Sequence, residues 1–118
     1  LIEALGAESI NYDLKLECCG NPVEKTDKEL SLLITKNKLE AMKNSGANCI
    51  CLVCPACFQQ FDFNQRKLSK NIDSNYNFPV FYLSELIALA FGYLPKDLGM
   101  RYHRVRPEKL LERLKFSL

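Results

Sequence analysis

All six cysteines of this 118-residue chain lie in two short segments, and this clustering constrains the fold more than any other feature. Cys18 and Cys19 are adjacent and precede Gly20, while the other four cysteines fall within residues 49–57. Adjacent cysteines can hardly form a disulfide with each other without strain. Both can point into one site if the chain turns after them, as glycine allows. The two segments are therefore predicted to meet around one inorganic centre.

The second segment is predicted to be a strand that ends in a metal-binding turn. Residues 48–53 are apolar and β-prone, and Pro55 favours the first position of a following helix. Cys54 and Cys57 are therefore expected at a helix N-terminus, where free N–H groups and the helix dipole favour thiolate. Thiolates at this spacing suit zinc or an iron–sulfur cluster. A redox-active or structural cysteine pair is the alternative that this motif alone leaves open.

Both cysteine groups are predicted to lie at one edge of a sheet. Residues 8–16 alternate loosely between apolar and polar side chains, which predicts a strand that delivers Cys18 and Cys19 at its end. A third strand is predicted over residues 79–83, with Pro79 at its first position. Because sites in open parallel sheets form beyond the carboxyl ends of the strands, we expect the two cysteine groups to converge there.

Helices are predicted between and after these strands. The first begins with a capping box at residues 26–29 and runs to Ser45. Its apolar side is predicted to be Leu30, Leu33, Ile34 and Ala41, and its solvated side Lys36, Lys38, Glu40 and Lys43. Further helices are predicted after Cys57, over residues 85–91 with Ser84 as the cap, and from Pro107, with a polar surface loop at residues 70–77. The sum is an α/β fold with a small, mostly parallel sheet, helices on both faces, and cysteines at the C-terminal ends of the strands.

Composition narrows the class of protein. The chain is 47% hydrophobic with a formal net charge of +2, which predicts a folded core and argues against generic nucleic-acid binding. No apolar run approaches the length of a membrane span. Clustered cysteines beside an ample core favour a reducing cytoplasm over a secreted disulfide scaffold, in an organism that avoids oxygen. The chain starts at Leu1, inside a predicted helix end, so we expect a fragment of a longer protein.

Cys49 and Cys51 are predicted to be structural. They alternate with Ile50 and Leu52 along the second strand, where a free cysteine behaves as a small hydrophobe. Cys51 also forms a second C-x-x-C motif with Cys54. The possibility that Cys51 replaces one of the predicted metal ligands therefore stays open.

These motifs resemble the CCG (cysteine-rich) domain family, most closely the C-terminal half of the B subunits of heterodisulfide reductases. The resemblance rests on Cys18-Cys19-Gly20, Cys54-Pro55-Ala56-Cys57-Phe58, Gln59-Gln60-Phe61-Asp62, Gln65, Phe78-Pro79-Val80-Phe81-Tyr82 and Tyr102-His103-Arg104-Val105-Arg106-Pro107. It covers essentially the whole chain. It implies that residues 1–118 form a single C-terminal CCG domain of a longer subunit with two such domains.

The resemblance also implies a function. In the B subunits of heterodisulfide reductases, each such motif holds a non-cubane 4Fe–4S cluster with five cysteines. Cys18, Cys19, Cys54 and Cys57 match four of them, and the fifth would precede Leu1. The implied enzyme is an iron–sulfur oxidoreductase of methanogenesis that reduces the mixed disulfide of coenzyme M and coenzyme B. Its implied partners are the N-terminal CCG half and further iron–sulfur and flavin subunits. Without the fifth ligand, zinc held by four thiolates is the alternative for the isolated fragment.

The only dense basic stretch supplies the substrate-binding candidates Arg101, His103, Arg104 and Arg106. The substrate implied by the resemblance carries sulfonate and phosphate groups, with which guanidinium pairs well. A strip that docks a partner subunit or is simply solvated is the alternative for the arginines. His103 is a candidate ligand or proton donor, although a surface or capping position is the expectation.

Two other classes of function stay open. One is an electron-transfer or anchor subunit of another dehydrogenase or reductase, such as a complex that oxidises succinate, glycolate, lactate or glycerol phosphate. The other is a zinc-stabilised structural module without turnover. An iron cluster absorbs visible light and zinc does not, so colour separates the last from the others.

Overall fold

A computed structural model describes residues 1–69 and 76–115 of the chain. Its helices and strands are, in order, α1 (Lys28–Asn44), β1 (Ile50–Leu52), α2 (Pro55–Ser69), β2 (Val80–Tyr82), α3 (Leu83–Ala90) and α4 (Glu108–Arg113). Short 3-10 turns occupy Glu3–Leu5, Asn21–Val23, Pro95–Leu98 and Met100–Tyr102. This arrangement confirms the predicted α/β class with a small parallel sheet.

The sheet within the described residues consists of β1 and β2, which pair in parallel. Ile50 lies opposite Val80 and Leu52 opposite Tyr82, and α2 connects the two strands. The strand–helix–strand unit is therefore β1–α2–β2, and not the predicted unit built on residues 8–16. The prediction for α2 is confirmed at its start, because the helix begins at Pro55 directly after Cys54.

Residues 8–16 form no strand, so that prediction is wrong. The segment is irregular up to residue 12 and then forms a turn over residues 13–16, after which the Glu17 N–H donates to the Leu14 carbonyl at 2.9 Å. Leu14 has a φ of +70°, which a regular strand excludes. Leu16 is 99% exposed, so the apolar alternation buries no continuous face. Cys18 and Cys19 therefore follow a turn-rich arm and not a strand.

Successive residues of β2 point to opposite faces of the sheet and separate two apolar clusters. Val80 lies in a cluster with Leu39 and Met42 of α1 and Phe61 of α2. Phe81 lies in another with Leu89 of α3, Met100 and Leu111 of α4. Helices thus cover both faces of this small sheet, as predicted.

The buried face of α1 is not the predicted one. Its buried residues are Ser31, Thr35, Lys38, Leu39 and Met42. Leu30 and Leu33 are instead 43% and 52% exposed. The cap also differs, because Asp27 Oδ1 accepts a hydrogen bond from the Leu30 N–H at 3.0 Å and Asp27 replaces Thr26 as the N-cap. A mixed polar face points inward because it meets polar backbone and side-chain groups from two other segments.

Two further predictions need correction. Ser84 is not the cap of α3, because the helix already begins at Leu83 and Tyr82 is its N-cap. The Glu85 carboxylate accepts the Tyr82 N–H at 3.0 Å. Of the predicted polar loop, residues 70–75 lie outside the described residues. Tyr76 at its far end is buried, and its hydroxyl contacts the Glu40 carboxylate, so neither of these side chains is simply solvated as predicted.

Candidate metal centre at the cysteine turns

Three thiols from two distant segments adjoin one another. Cys57 lies in the first turn of α2, and its thiol is close enough to those of Cys19 and Cys54 for both to raise its pKa. Cys19 is buried, whereas Cys54, directly before the helix, is exposed. Cys18 is also exposed, and its sulfur accepts the Gly20 N–H at 3.4 Å. The structure therefore joins the early and the late cysteine motif through the Cys19–Cys57 contact.

These thiols form a row and not a closed cage. Within residues 1–69 and 76–115, no three or more His, Cys, Asp or Glu side chains surround one metal-sized position. The donors nevertheless suit a soft metal centre, because the row consists of sulfur alone and its middle member touches both neighbours.

The start of α2 favours the thiolate form of Cys54. The backbone N–H groups of Cys57 and Ala56 face its sulfur and lower the pKa of the Cys54 thiol, with a smaller contribution from the Cys57 side chain. This is the effect expected at a helix N-terminus, where N–H groups have no partner within the helix. Cys54 is therefore the thiol of the row that is best prepared to bind a cation.

Cys57, the middle thiol of the row, has a raised pKa where Cys54 has a lowered one. Burial raises the pKa of Cys57 to about 12, and the neighbouring sulfurs of Cys19 and Cys54 act in the same direction. Adjacent thiolates repel each other unless a cation lies between them, so the crowding that disfavours ionisation in the free chain favours a bound metal.

A buried hydrogen-bond network holds the Cys19–Gly20 backbone against α1 and α2. The Thr35 hydroxyl donates to the Cys19 carbonyl at 2.9 Å, and the Ser31 hydroxyl donates to the Gly20 carbonyl at 2.8 Å. The Gln60 amide of α2 then donates to both hydroxyl oxygens at 2.7 Å. Gln60 lies about one helical turn after Cys57, so the network aligns the two cysteine segments.

Gly20 is the residue that lets this turn approach α1. Its φ is +93°, and a Cβ at this position would lie 2.8 Å from the Ser31 carbonyl oxygen. The predicted turning role of this glycine thus has a second basis, which is the lack of space for any side chain.

Lys38 is buried beside the cysteines, contrary to the prediction of a solvated position. Its Nζ donates to the Lys15 carbonyl at 3.1 Å and also to the Glu17 carbonyl. Burial lowers the pKa of Lys38, and the sulfurs of Cys57, Cys19 and Cys18 oppose that shift. Lys38 therefore connects the arm before Cys18 to the interior of the site.

Cys49 and Cys51 lie on the strand side of the site. Burial raises the pKa of both thiols, with smaller contributions from Cys51 to Cys49 and from Glu85 to Cys51. Both side chains are half-buried, and Cys49 packs against the cluster around Phe81. These are the surroundings of a packing cysteine, in which a thiolate is disfavoured.

Aromatic rings pack around Phe58, the residue that follows Cys57 in α2. The Phe58 ring stacks on the Tyr82 ring with centroids 4.6 Å apart, and it meets the His103 ring edge-on at 5.0 Å. His103 Nε2 lies 2.9 Å from a Glu85 carboxylate oxygen, and both side chains are largely buried. The expectation of a surface position for His103 is therefore wrong, because the side chain is buried. The alternative expectation of a capping position is confirmed, since His103 caps the Met100–Tyr102 turn and its N–H donates to the Met100 carbonyl at 3.1 Å.

The His103–Glu85 pair predicts a pH-dependent stability. Burial lowers the pKa of His103, but Glu85, with smaller contributions from the charge of Asp62 and the Val80 backbone, raises it above the ordinary value overall. The pair therefore stabilises the fold fully below about pH 6.5, and this stabilisation is lost as the pH rises through the folded pKa. We expect the thermal midpoint to fall between about pH 6 and pH 8 in the wild type.

Glu85→Gln is the matched control, because it removes the charge that favours the imidazolium. We expect its thermal midpoint to vary little over the same pH range. His103 is the only histidine of the chain, so equal slopes in the two proteins contradict the assignment.

The arginine candidates are engaged with their own neighbours. The Arg101 guanidinium lies 4.8 Å from the Tyr102 ring centroid, and that of Arg104 lies 4.9 Å from the Phe63 ring centroid. Arg106 pairs with Glu108 at 3.2 Å. The backbone of this stretch is fixed to α2, since the buried Asp62 carboxylate accepts the N–H groups of Arg104 and Val105 at 2.8 and 3.0 Å.

A shallow cavity of about 240 Å³ opens where β1 ends. Its lining is mostly apolar and consists of Val53, Tyr82, Leu83, Ser84 and Ile87. Val53 precedes Cys54, and the pKa of Tyr82 is raised by burial and then by the charges of Glu85 and Cys54. The cavity is thus beside the exposed end of the thiol row.

The residues that sequence reasoning missed are polar and buried. Ser31, Thr35 and Lys38 position the site but belong to no motif that marks them as functional, whereas Gln60 lies in a motif of the family resemblance without a role assigned to it. Ser31, Thr35, Lys38, Leu39 and Met42 recur at helical spacing, and a search for mixed polar and apolar periodicity would have found this face.

No helix among the described residues is both long and apolar enough to cross a membrane.

Comparisons with known proteins agree with the geometry. A family model described as a cysteine-rich domain matches residues 1–62, which include both cysteine motifs. The chain is 34% identical over 116 residues to the B subunit of a ferredoxin:CoB-CoM heterodisulfide reductase of Methanosarcina mazei, a match that covers 97% of this chain and 39% of the relative. It is 39% identical over 101 residues to a protein of Archaeoglobus profundus that is named as similar to the heterodisulfide reductase B subunit, covering 84% of this chain and 34% of the relative.

A third relative is named for a different role. The chain is 30% identical over 110 residues to the membrane anchor subunit of the 8-methylmenaquinol:fumarate reductase of Wolinella succinogenes, covering 93% of this chain and 39% of the relative. The chain therefore spans about two fifths of the length of these relatives or less.

Proposed function

Since the chain belongs to the cysteine-rich domain (CCG) family, we propose that it is one domain of an iron–sulfur oxidoreductase subunit, with Cys18, Cys19, Cys54 and Cys57 as cluster ligands. The observation that carries this proposal is the contact of Cys57 with both Cys19 and Cys54, which joins the two motifs into one row of sulfur. The cluster is proposed to be the non-cubane 4Fe–4S type. When bound, such a cluster supplies single electrons for reductive cleavage of a sulfur–sulfur bond.

The protein residues around the row have separate tasks. Cys54 offers an exposed sulfur whose pKa is lowered by the N–H groups of α2, so it is a ligand that solvent and substrate can reach. Phe58, directly after Cys57, stacks on Tyr82 and is proposed to limit the access of water to the row. The apolar cavity beyond Val53 suits an apolar portion of a disulfide substrate.

The proposed substrate is the mixed disulfide of coenzyme M and coenzyme B, and the proposed partners are the second CCG domain of the same protein and further reductase subunits. Identities of 34–39% to proteins named as the heterodisulfide reductase B subunit, or as similar to it, support this choice. Arg101, Arg104 and Arg106 remain candidates for the anionic groups of such a substrate, although their guanidinium groups also contact Tyr102, Phe63 and Glu108. A cytoplasmic location stays a prediction.

A second candidate function is electron transfer or anchoring in a different reductase. The fumarate reductase anchor protein supports it, because its match covers nearly the whole chain and it is not named for a disulfide substrate. A structural zinc module is the third candidate, since four thiolates satisfy zinc tetrahedrally.

Metal analysis under anaerobic conditions tests the proposal. We expect iron and acid-labile sulfide, together with visible absorption, in protein purified without oxygen. Stoichiometric zinc without iron contradicts the cluster and favours the structural module. Oxidation of a reduced dye by the coenzyme M–coenzyme B disulfide in the longer protein then separates the first candidate from the second, because an anchor or electron-transfer subunit gives no disulfide-dependent turnover.

A further inference from the structure

Lys38 is an unusual residue for the interior of a small domain. It is 7% exposed, although a lysine on a helix surface normally keeps its ammonium in water. Burying an ammonium is costly unless hydrogen bonds and opposite charge compensate. A lysine in such a position therefore requires partners, and those partners indicate what it does.

Its hydrogen-bond partners all belong to the arm that leads into the early cysteines. Nζ donates to the Lys15 carbonyl at 3.1 Å and to the carbonyl of Glu17, the residue directly before Cys18. The arm has no strand pairing to hold it, because residues 8–16 form no strand. Lys38 is thus the side chain that fastens this arm to α1.

Its electrostatic partners are the sulfurs. Among the residues that the structure describes, no carboxylate forms an ion pair with Lys38. The groups that favour its charged form are Cys57, then Cys19, Cys18 and, last, Glu17. Because Nζ donates to the carbonyl of Glu17, the residue directly before Cys18, the ammonium lies next to the early cysteine motif.

We propose that Lys38 is a positioning residue of the cysteine site, which clamps the arm before Cys18 and places a fixed positive charge beside the sulfur ligands. The clamp depends only on contacts within the chain, while the role of the charge rests on the proposed function. A nearby positive charge stabilises the more negative, reduced state of a cluster, so it raises the reduction potential.

Limited proteolysis with trypsin tests the clamp on the metal-free chain. Trypsin cleaves after Lys15, at the peptide bond whose carbonyl Lys38 holds. In Lys38→Met we expect cleavage after Lys15 to be about tenfold faster than in the wild type, as expected for losing a charge-assisted hydrogen bond that opposes local opening. Lys36→Met, on the same helix but without a hydrogen bond to the arm, is the control and should cleave at the wild-type rate.

Cleavage after Lys25 in the same sample reports opening outside the arm. Selective acceleration after Lys15 supports the clamp. Equal acceleration at both sites, or none at either, overturns it. The outcome does not depend on iron, so it remains decisive even if metal analysis contradicts the proposed function.

The reduction potential tests the charge. In iron-loaded protein we expect the midpoint potential of Lys38→Met to be more negative than that of the wild type and of Lys36→Met. Lys38→Arg keeps the charge, so its potential should stay near the wild-type value. An unchanged potential in Lys38→Met shows that the residue is only structural and overturns this part of the inference.

Discussion

Replacing Cys57 with serine is expected to remove most of the bound iron. Cys57 is the sulfur that touches both Cys19 and Cys54, so it connects the two motifs. A serine hydroxyl is a hard, neutral donor that replaces soft thiolate poorly. Loss of an outer-shell partner alone costs roughly 10–100-fold in metal affinity, so loss of this ligand should lower the iron content by about tenfold or more.

Cys51→Ser is the matched control. Cys51 is also half-buried, lies close to the same site and undergoes the same exchange of sulfur for oxygen. It belongs to β1, and the thiols that act on Cys57 are those of Cys19 and Cys54 and not that of Cys51. We expect its iron content and visible absorption to stay near wild type.

The two variants separate three arrangements of ligands. Iron lost only in Cys57→Ser supports the proposed set. Iron lost in Cys51→Ser and retained in Cys57→Ser means that Cys51 and Cys54 form the binding pair instead. Iron retained in both contradicts a site at this position. Thermal unfolding of each metal-free variant shows whether the fold itself has changed.

The late cysteine motif was predictable from the sequence because its determinants are local. Pro55 sets the first turn of α2, so Cys54 and Cys57 fall at the helix N-terminus whatever the rest of the chain does. The parallel pairing of β1 with β2 also follows from short apolar runs on either side of a helix. Local chemistry was sufficient for this half of the site.

The early motif was predicted on a wrong element. Alternation at residues 8–16 indicates a strand only if a neighbouring strand takes up its hydrogen bonds, and sequence periodicity does not reveal that neighbour. In the structure, side-chain hydrogen bonds replace the strand pairing that was predicted. Lys38 holds the arm, and the hydroxyls of Ser31 and Thr35 hold the Cys19–Gly20 turn. Such tertiary hydrogen bonds leave no short motif in the sequence.

The same reason explains the misassigned face of α1. Leu30 and Leu33 were expected inside because apolar spacing normally identifies the core. The helix instead turns Ser31 and Thr35 inward, where Gln60 and two backbone carbonyls satisfy both hydroxyls. Buried polar groups are tolerated when all are hydrogen-bonded, so packing around the cysteine turn outweighs simple amphipathicity.

Gly20→Ala is expected to be among the most destabilising single substitutions in the domain. A φ of +93° costs a residue with a Cβ about 1–2 kcal/mol. The new Cβ would also lie 2.8 Å from the Ser31 carbonyl oxygen and 3.1 Å from Ile34 Cβ, and the backbone of a helix cannot easily move away. Adding about 1–3 kcal/mol for this overpacking gives a total loss of roughly 2–5 kcal/mol. Urea denaturation of the metal-free protein measures it.

Gly92→Ala separates the steric clash of a new Cβ from the backbone strain of a positive φ. Gly92 has nearly the same φ, +97°, but a Cβ there would meet nothing within 4 Å, so only the conformational cost of about 1–2 kcal/mol applies. The difference between the two variants measures how tightly the cysteine turn is packed on α1. Because the Gly20 and Cys19 carbonyls accept the Ser31 and Thr35 hydroxyls, a shift of this turn also moves Cys19 away from Cys57, and Gly20→Ala should lose iron while Gly92→Ala keeps it. Equal losses of stability in the two variants would show that the turn is free to move and that the early cysteines are not held against α2 by packing.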